Sequence, residues 1–171
     1  WLKKNYKNVQ GHTIELDGLF KSFEGTLNNF SNEHGMANSR ARLRMTTLYQ
    51  VAAANKGIVV GTGNKVEDFG VGFYTKYGDG GVDISPIADC NKTEVWELGK
   101  ELGILEEIIN AAPTDGLWDD GRTDEGQLGL SYKELEEAMN NENSVNREKY
   151  NSIRNANLHK MEPIPVCKIP N

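Results

Sequence analysis

The chain has 171 residues, with 19 Lys and Arg against 25 Asp and Glu, and 37% of it is hydrophobic. That length suffices for one domain with a core. The net charge of −6 argues against DNA or RNA as partners, although a few well-placed Arg and Lys can still hold a small anion. No stretch approaches the roughly 18 apolar residues of a membrane span. The opening residues, Trp1 to Tyr6, contain no apolar signal core. The chain does not begin with Met and is expected to be a piece of a longer protein. Cys90 and Cys167 stand far apart and the three His form no cluster, which predicts a reduced, cytoplasmic protein without a Cys/His metal centre.

The elements alternate in an α/β manner. Trp1 to Val9 reads as the end of a helix, Thr13-Ile14-Glu15-Leu16 as a short strand, and Leu19 to Leu27 as a turn or two of helix. The clearest helix is Asn38 to Ala54. Ala41, Met45, Leu48 and Ala52 fall on one face, and Lys56-Gly57 can end it. Ile58-Val59-Val60 is a short all-apolar run, as in a buried parallel strand. Helix followed by apolar strand predicts a parallel sheet flanked by helices. Asn91 with Glu94, and Ser131 with Glu134, have the spacing of capping boxes. The segment from Asn157 holds three of the five prolines and is expected to be an extended tail, 157–171.

Five places could carry chemistry. Gly61-Thr62-Gly63 follows the apolar run, where open α/β sheets bind ligands; an ordinary turn looks the same. Three glycines in four residues make 78–81 a bent loop beside Tyr77, Lys76, Asp79 and Asp83. Arg40 and Arg44 share a helix face that Arg42 does not. The acidic loop from Pro113 to Glu125 has oxygens suited to Mg²⁺ or only to water. His159-Lys160 could grip a phosphate or be a solvated pair.

Taken together, these segments are specific. Ala41-Arg42-Leu43-Arg44-Met45, Val60-Gly61-Thr62-Gly63, and above all Thr75-Lys76-Tyr77-Gly78-Asp79-Gly80-Gly81 resemble motifs of the ammonia-dependent NAD⁺ synthetase family, N-type ATP pyrophosphatases. Asn91-Lys92-Thr93-Glu94, Ala112-Pro113-Thr114-Asp115 and His159-Lys160 continue the match in the same order. The resemblance implies an adenine nucleotide alpha hydrolase-like (Rossmann-like) layered fold over one domain, 1–171, with its N-terminal part missing.

It also implies a two-step reaction. The nicotinate carboxylate of deamido-NAD⁺ attacks the α-phosphate of ATP, giving an adenylate and pyrophosphate, and ammonia then displaces AMP. By motif match, Thr62, Lys92 and Thr114 would bind ATP, and Glu67 would ligate Mg²⁺. Arg42, Lys76, Asp83, His159 and Lys160 would bind deamido-NAD⁺, near the interface of a homodimer. The family's Ser-Gly-Gly-x-Asp-Ser pyrophosphate loop is not found in these residues, so this piece alone is expected to be inactive. Gly63-Asn64 stand where some members have Asp-His, and one extra residue lies between Glu67 and Lys76. A GMP synthetase-like ligase, and a non-catalytic nucleotide-binding or dimerisation module, are the alternatives.

Overall fold

The structure, a computed structural model, describes residues 1–170. Helices dominate it. In chain order they are α1 (Leu2–Asn5), α2 (Asp17–Thr26), α3 (Glu33–Ala54), a π-helical turn (Lys65–Val71), α4 (Lys92–Glu101), α5 (Glu106–Ile109), α6 (Asp124–Leu128), α7 (Tyr132–Asn140) and α8 (Arg147–Met161). None of the described helices is long and apolar enough to cross a membrane.

Local chemistry explains most boundaries. α7 starts in a full capping box, Ser131 with Glu134, as the spacing predicts; α4 has one half of it, the Asn91 N–H donating to Glu94 Oε2 at 2.7 Å, while Asn91 Oδ1 is buried without a hydrogen-bond partner among the described residues. α3 starts five residues before the expected Asn38, because Asn32 Oδ1 accepts the Gly35 N–H at 2.7 Å and so caps a turn that the apolar face does not reach. α8 continues through Asn157 to Met161, so the extended tail begins at Glu162 and not at Asn157. The nearest proline is Pro163, and Asn157 Nδ2 is held by the carbonyls of Val71 and Ile153. The expected strand at 13–16 is irregular.

The expected parallel sheet is not confirmed. Among the described residues the β pairing amounts to one isolated parallel bridge, Val60 to Ile84. Gly61 N–H donates to Ile84 O at 2.7 Å and Asp83 N–H to Val59 O at 2.9 Å. The Val59 N–H goes to the Asp83 carboxylate at 2.7 Å, where a sheet would offer a carbonyl, so the ladder ends after one register step. Only Val59 is buried; Ile58 is 59% and Val60 53% exposed.

The core lies elsewhere. Val66 and Val71 of the π turn pack with Leu128, Leu130, Tyr132, Leu135, Ala138 and Tyr150. α7 and α8 close on the π turn from two sides, and five of these side chains are fully enclosed. A π helix bonds i to i+5 and so takes in one more residue than an α turn. Asn64 is buried and caps that turn, its Oδ1 accepting from Val66 and Glu67 N–H at 3.1 Å each.

Candidate functional site

Between α3, the 59–62 segment, the glycine loop and the 113–118 loop lies a cavity of about 800 Å³. Thr62, Glu67, Lys92 and Thr114 all line it. These are the four residues that the resemblance assigns to ATP and Mg²⁺, and they come from four separate stretches of chain.

One wall is a closely bonded cluster. Lys92 Nζ meets Glu67 Oε1 at 2.8 Å, with both side chains under 20% exposed. Tyr132, fully buried, brings its hydroxyl 2.5 Å from the same Glu67 oxygen and 3.0 Å from Asp124 Oδ2. The Lys92 ammonium also sits over the Tyr132 ring, 4.8 Å from its centroid, a favourable placement for a cation. Asp124 is 7% exposed, and its Oδ1 has no hydrogen-bond partner among the described residues. Burial raises the Asp124 pKa above the ordinary carboxylate value. Burial, then the Glu67 charge, raises that of Tyr132, so its phenol stays protonated.

The opposite wall is built by loops. Asp115 accepts from Leu117 N–H at 2.9 Å and from Trp118 Nε1 and Gln127 Nε2 at 3.1 Å each. Asp120 is taken by Arg122, whose guanidinium stacks 4.1 Å from the Trp118 ring centroid. The acidic loop thus uses these two carboxylates to shape itself. Thr114 Oγ1 donates to Arg122 O at 3.1 Å.

The three arginines of α3 divide as helix geometry requires. Arg40 Nη1 donates to Leu117 O at 2.5 Å and Arg44 Nη2 to Gly116 O at 3.0 Å. Arg42 points the other way, its Nε and Nη2 donating to Lys76 O at 3.3 and 3.2 Å. Arg44 lines the cavity and Arg42 does not. Lys76 Nζ in turn donates to His159 O. Arg42, Lys76 and His159 therefore form a cluster outside the cavity.

Asp83 is occupied within the fold, accepting from Val59 N–H and, at 3.2 Å, from the Tyr49 hydroxyl. Lys160 lines the cavity, its Nζ on the carbonyls of Gly72 and Tyr74 at 2.9 and 2.7 Å; burial pulls its pKa down. Tyr132 was invisible to the sequence reading, since it looks like any residue following a helix cap. Trp118 and Asp124 lie within the acidic loop 113–125, whose composition does not single them out.

A cavity with apolar walls and a few placed polar groups, among them Lys92, Glu67 and two threonines, is the kind of site that holds a nucleotide. The NAD synthase family profile matches residues 3–168, and the chain belongs to that family. It is 43% identical over 136 residues to the NH(3)-dependent NAD(+) synthetase of Carboxydothermus hydrogenoformans, covering 77% of this chain and 55% of that protein. It is 37% identical over 180 residues to the enzyme of the same name from Methanosarcina acetivorans, covering 94% and 70%. The chain thus spans little more than half of the first relative. Its fold superposes on the NMN synthetase of Francisella tularensis with a TM-score of 0.86, at 32% identity, over 95% of this chain and 68% of that one.

Proposed function

We propose that this chain carries the nucleotide-binding and activating part of an ammonia-dependent NAD⁺ synthetase: ATP-driven amidation of a nicotinate carboxylate through an adenylate, releasing pyrophosphate and then AMP. The supporting observation is the meeting of Lys92, Glu67, Thr62 and Thr114 around one cavity. A carboxylate resists attack by ammonia until its oxygen becomes a good leaving group. Adenylation supplies that, and the protein's part is positioning and electrostatics.

Each residue has a defined task. Lys92 is the first residue of α4, where N–H groups already favour an anion; its ammonium neutralises triphosphate charge. The Thr62 and Thr114 hydroxyls orient phosphate or ribose oxygens. Lys160 faces the nicotinate nucleotide. The donor set suits Mg²⁺ bound with the substrate: Glu67 Oε1 is taken by Lys92 and Tyr132 while, among the described residues, Oε2 accepts no hydrogen bond, and Mg²⁺ commonly takes one or two carboxylates plus phosphate and water oxygens. When bound, it offsets phosphate charge.

Two readings of the nicotinate substrate compete. Deamido-NAD⁺ at a homodimer interface accounts for the Arg42–Lys76–His159 cluster outside the cavity. The mononucleotide is the second reading. It is favoured by the likeness to the Francisella protein, and because Lys160 alone of the five assigned residues lines the cavity. The test is the full-length protein with ATP, ammonium and either deamido-NAD⁺ or nicotinate mononucleotide, following amide product and AMP. Amidation of deamido-NAD⁺ with the higher kcat/KM supports the first reading, and the reverse ratio the second. AMP release with neither substrate overturns both.

A further inference from the structure

We infer that Tyr132 and Asp124 are positioning residues for the site: a buried phenol–carboxyl brace that holds Glu67 and Lys92 in one fixed geometry before any ligand arrives. The inference rests on the reading of Glu67 and Lys92 as ligands of the metal-bound triphosphate, and adds two residues that the motif match does not reach.

Tyr132 makes three polar contacts from one fully buried side chain. Its hydroxyl lies 2.5 Å from Glu67 Oε1, within the range of strong charge-assisted bonds. Its ring carries the Lys92 ammonium at 4.8 Å. Its hydroxyl also meets Asp124 Oδ2 at 3.0 Å. Its backbone N–H is fixed as well, donating to Glu125 Oε1 at 2.9 Å. Trp96 packs edge-on against the ring, with centroids 6.0 Å apart, and so sets its plane.

The brace has a direction. A phenol has one proton, and the shorter contact gives it to Glu67. Glu67 then has Oε1 bound twice, by Tyr132 and by Lys92, so its Oε2 is the oxygen without a hydrogen bond. Asp124 closes the far side, and its unpartnered Oδ1 belongs to a residue that is more than nine-tenths buried and lines the cavity. That oxygen suits a hydrogen-bond donor arriving with the ligand, such as metal-bound water.

A residue that only fills the core would not be built this way. Phe in place of Tyr132 would fill the same volume and keep the Trp96 contact, but would release Glu67 and leave Asp124 without its partner. Shape and positioning can therefore be separated by experiment.

In the full chain, Mg²⁺-dependent ATP binding is measured by calorimetry, and the Lys92 NζH₃⁺ resonance by NMR without ligand. Tyr132→Phe is expected to raise the Mg²⁺ concentration for half-maximal ATP binding about tenfold and to abolish the protected Lys92 signal, with the thermal midpoint nearly kept. Asp124→Ala should act in the same direction, and Asp124→Asn, whose amide group keeps a polar partner beside the phenol oxygen, should restore most of the loss. Trp96→Phe, a packing control, should lower the thermal midpoint without moving the Mg²⁺ dependence. An unchanged Mg²⁺ midpoint and Lys92 signal in Tyr132→Phe, or an equal Mg²⁺ shift in Trp96→Phe, overturns the brace. If the unsubstituted chain binds no ATP, the reading of the site fails, and the Lys92 signal alone then decides the brace.

Discussion

Residues 58–60 and the π turn at 65–71 are separated by a few residues and have opposite fates. The first segment is wholly aliphatic, yet Ile58 and Val60 face solvent. The second contains Lys65, Glu67 and Asp68, yet Val66 and Val71 are completely enclosed. Hydrophobicity sets what a segment gains by burial; the neighbours it can pack against decide whether it is buried. The π turn has α7 on one side and α8 on the other. The 58–60 run has a single bridge to Ile84.

The sharpest way to break this comparison is to remove one side chain from each region. Leu135 is fully enclosed beside Val66 and Val71. Leu135→Ala should cost about 2–5 kcal/mol in urea unfolding, the range for a buried Leu lost to a cavity. Ile58→Ala should cost under about 1 kcal/mol, as at an exposed position. Comparable losses would mean that the 58–60 run is covered in solution.

Lys92 gives the next largest effect. Removing it leaves Glu67, itself little exposed, without its cation, and breaking a buried pair is expensive. For this partly exposed pair, Lys92→Ala should cost about 2 kcal/mol of stability. In the full-length protein it should also weaken ATP use far more than binding of the nicotinate nucleotide. An unchanged KM and kcat for ATP would remove Lys92 from the nucleotide site.

How much of this was legible in the sequence follows from the same physics. The capping box of α7 and its backbone half in α4 could be read because four residues of local sequence determine them. The opposite orientations of Arg42 and Arg44 could be read because a helix fixes angles over short distances. The motif match named four residues that do meet at one cavity, although composition and spacing alone left each one ambiguous. The sheet could not be settled from sequence, since pairing depends on what lies beside the strand, and among the described residues it amounts to one parallel bridge. Nor could Tyr132, whose role comes from Glu67, 65 positions earlier, with no periodic signal joining them.

The arginines sharpen the comparison at the site itself. Arg42 belongs to the outer cluster with Lys76 and His159, and Arg44 to the cavity wall. A guanidinium fork binds paired oxygens in a way that Lys does not copy. Arg42→Lys is expected to lose about 1.5 kcal/mol of deamido-NAD⁺ affinity by calorimetry and almost nothing for nicotinate mononucleotide, the smaller ligand, held within the cavity that Arg42 does not line. Equal losses for the two ligands would put Arg42 against the part they share.

Asp68 gives the smallest effect and sits at the seam of the two regions. It belongs to the π turn, but its carboxylate presses on Gly63, where an added Cβ would meet Oδ2 at 1.9 Å. Burial, then the charges of Glu67 and Asp79, raises its pKa from 3.8 to about 6. A raised carboxyl pKa means that the folded state favours the neutral form. The penalty is absent well below pH 3.8, grows as pH rises between the unfolded and folded values, and is complete above about 6. Asp68→Asn should therefore stabilise the metal-free protein by about 1 kcal/mol at pH 8, after discounting for the partial exposure of the group. At pH 3.5 it should change stability little. Thermal melts of both proteins across that range, in buffer with chelator, give the comparison. A gain of the same size at both ends would trace it to packing against Gly63 and not to charge. A loss at pH 8 would mean that the ionised carboxylate contributes a bond the fold needs, and would move Asp68 from the seam into the working part of the site.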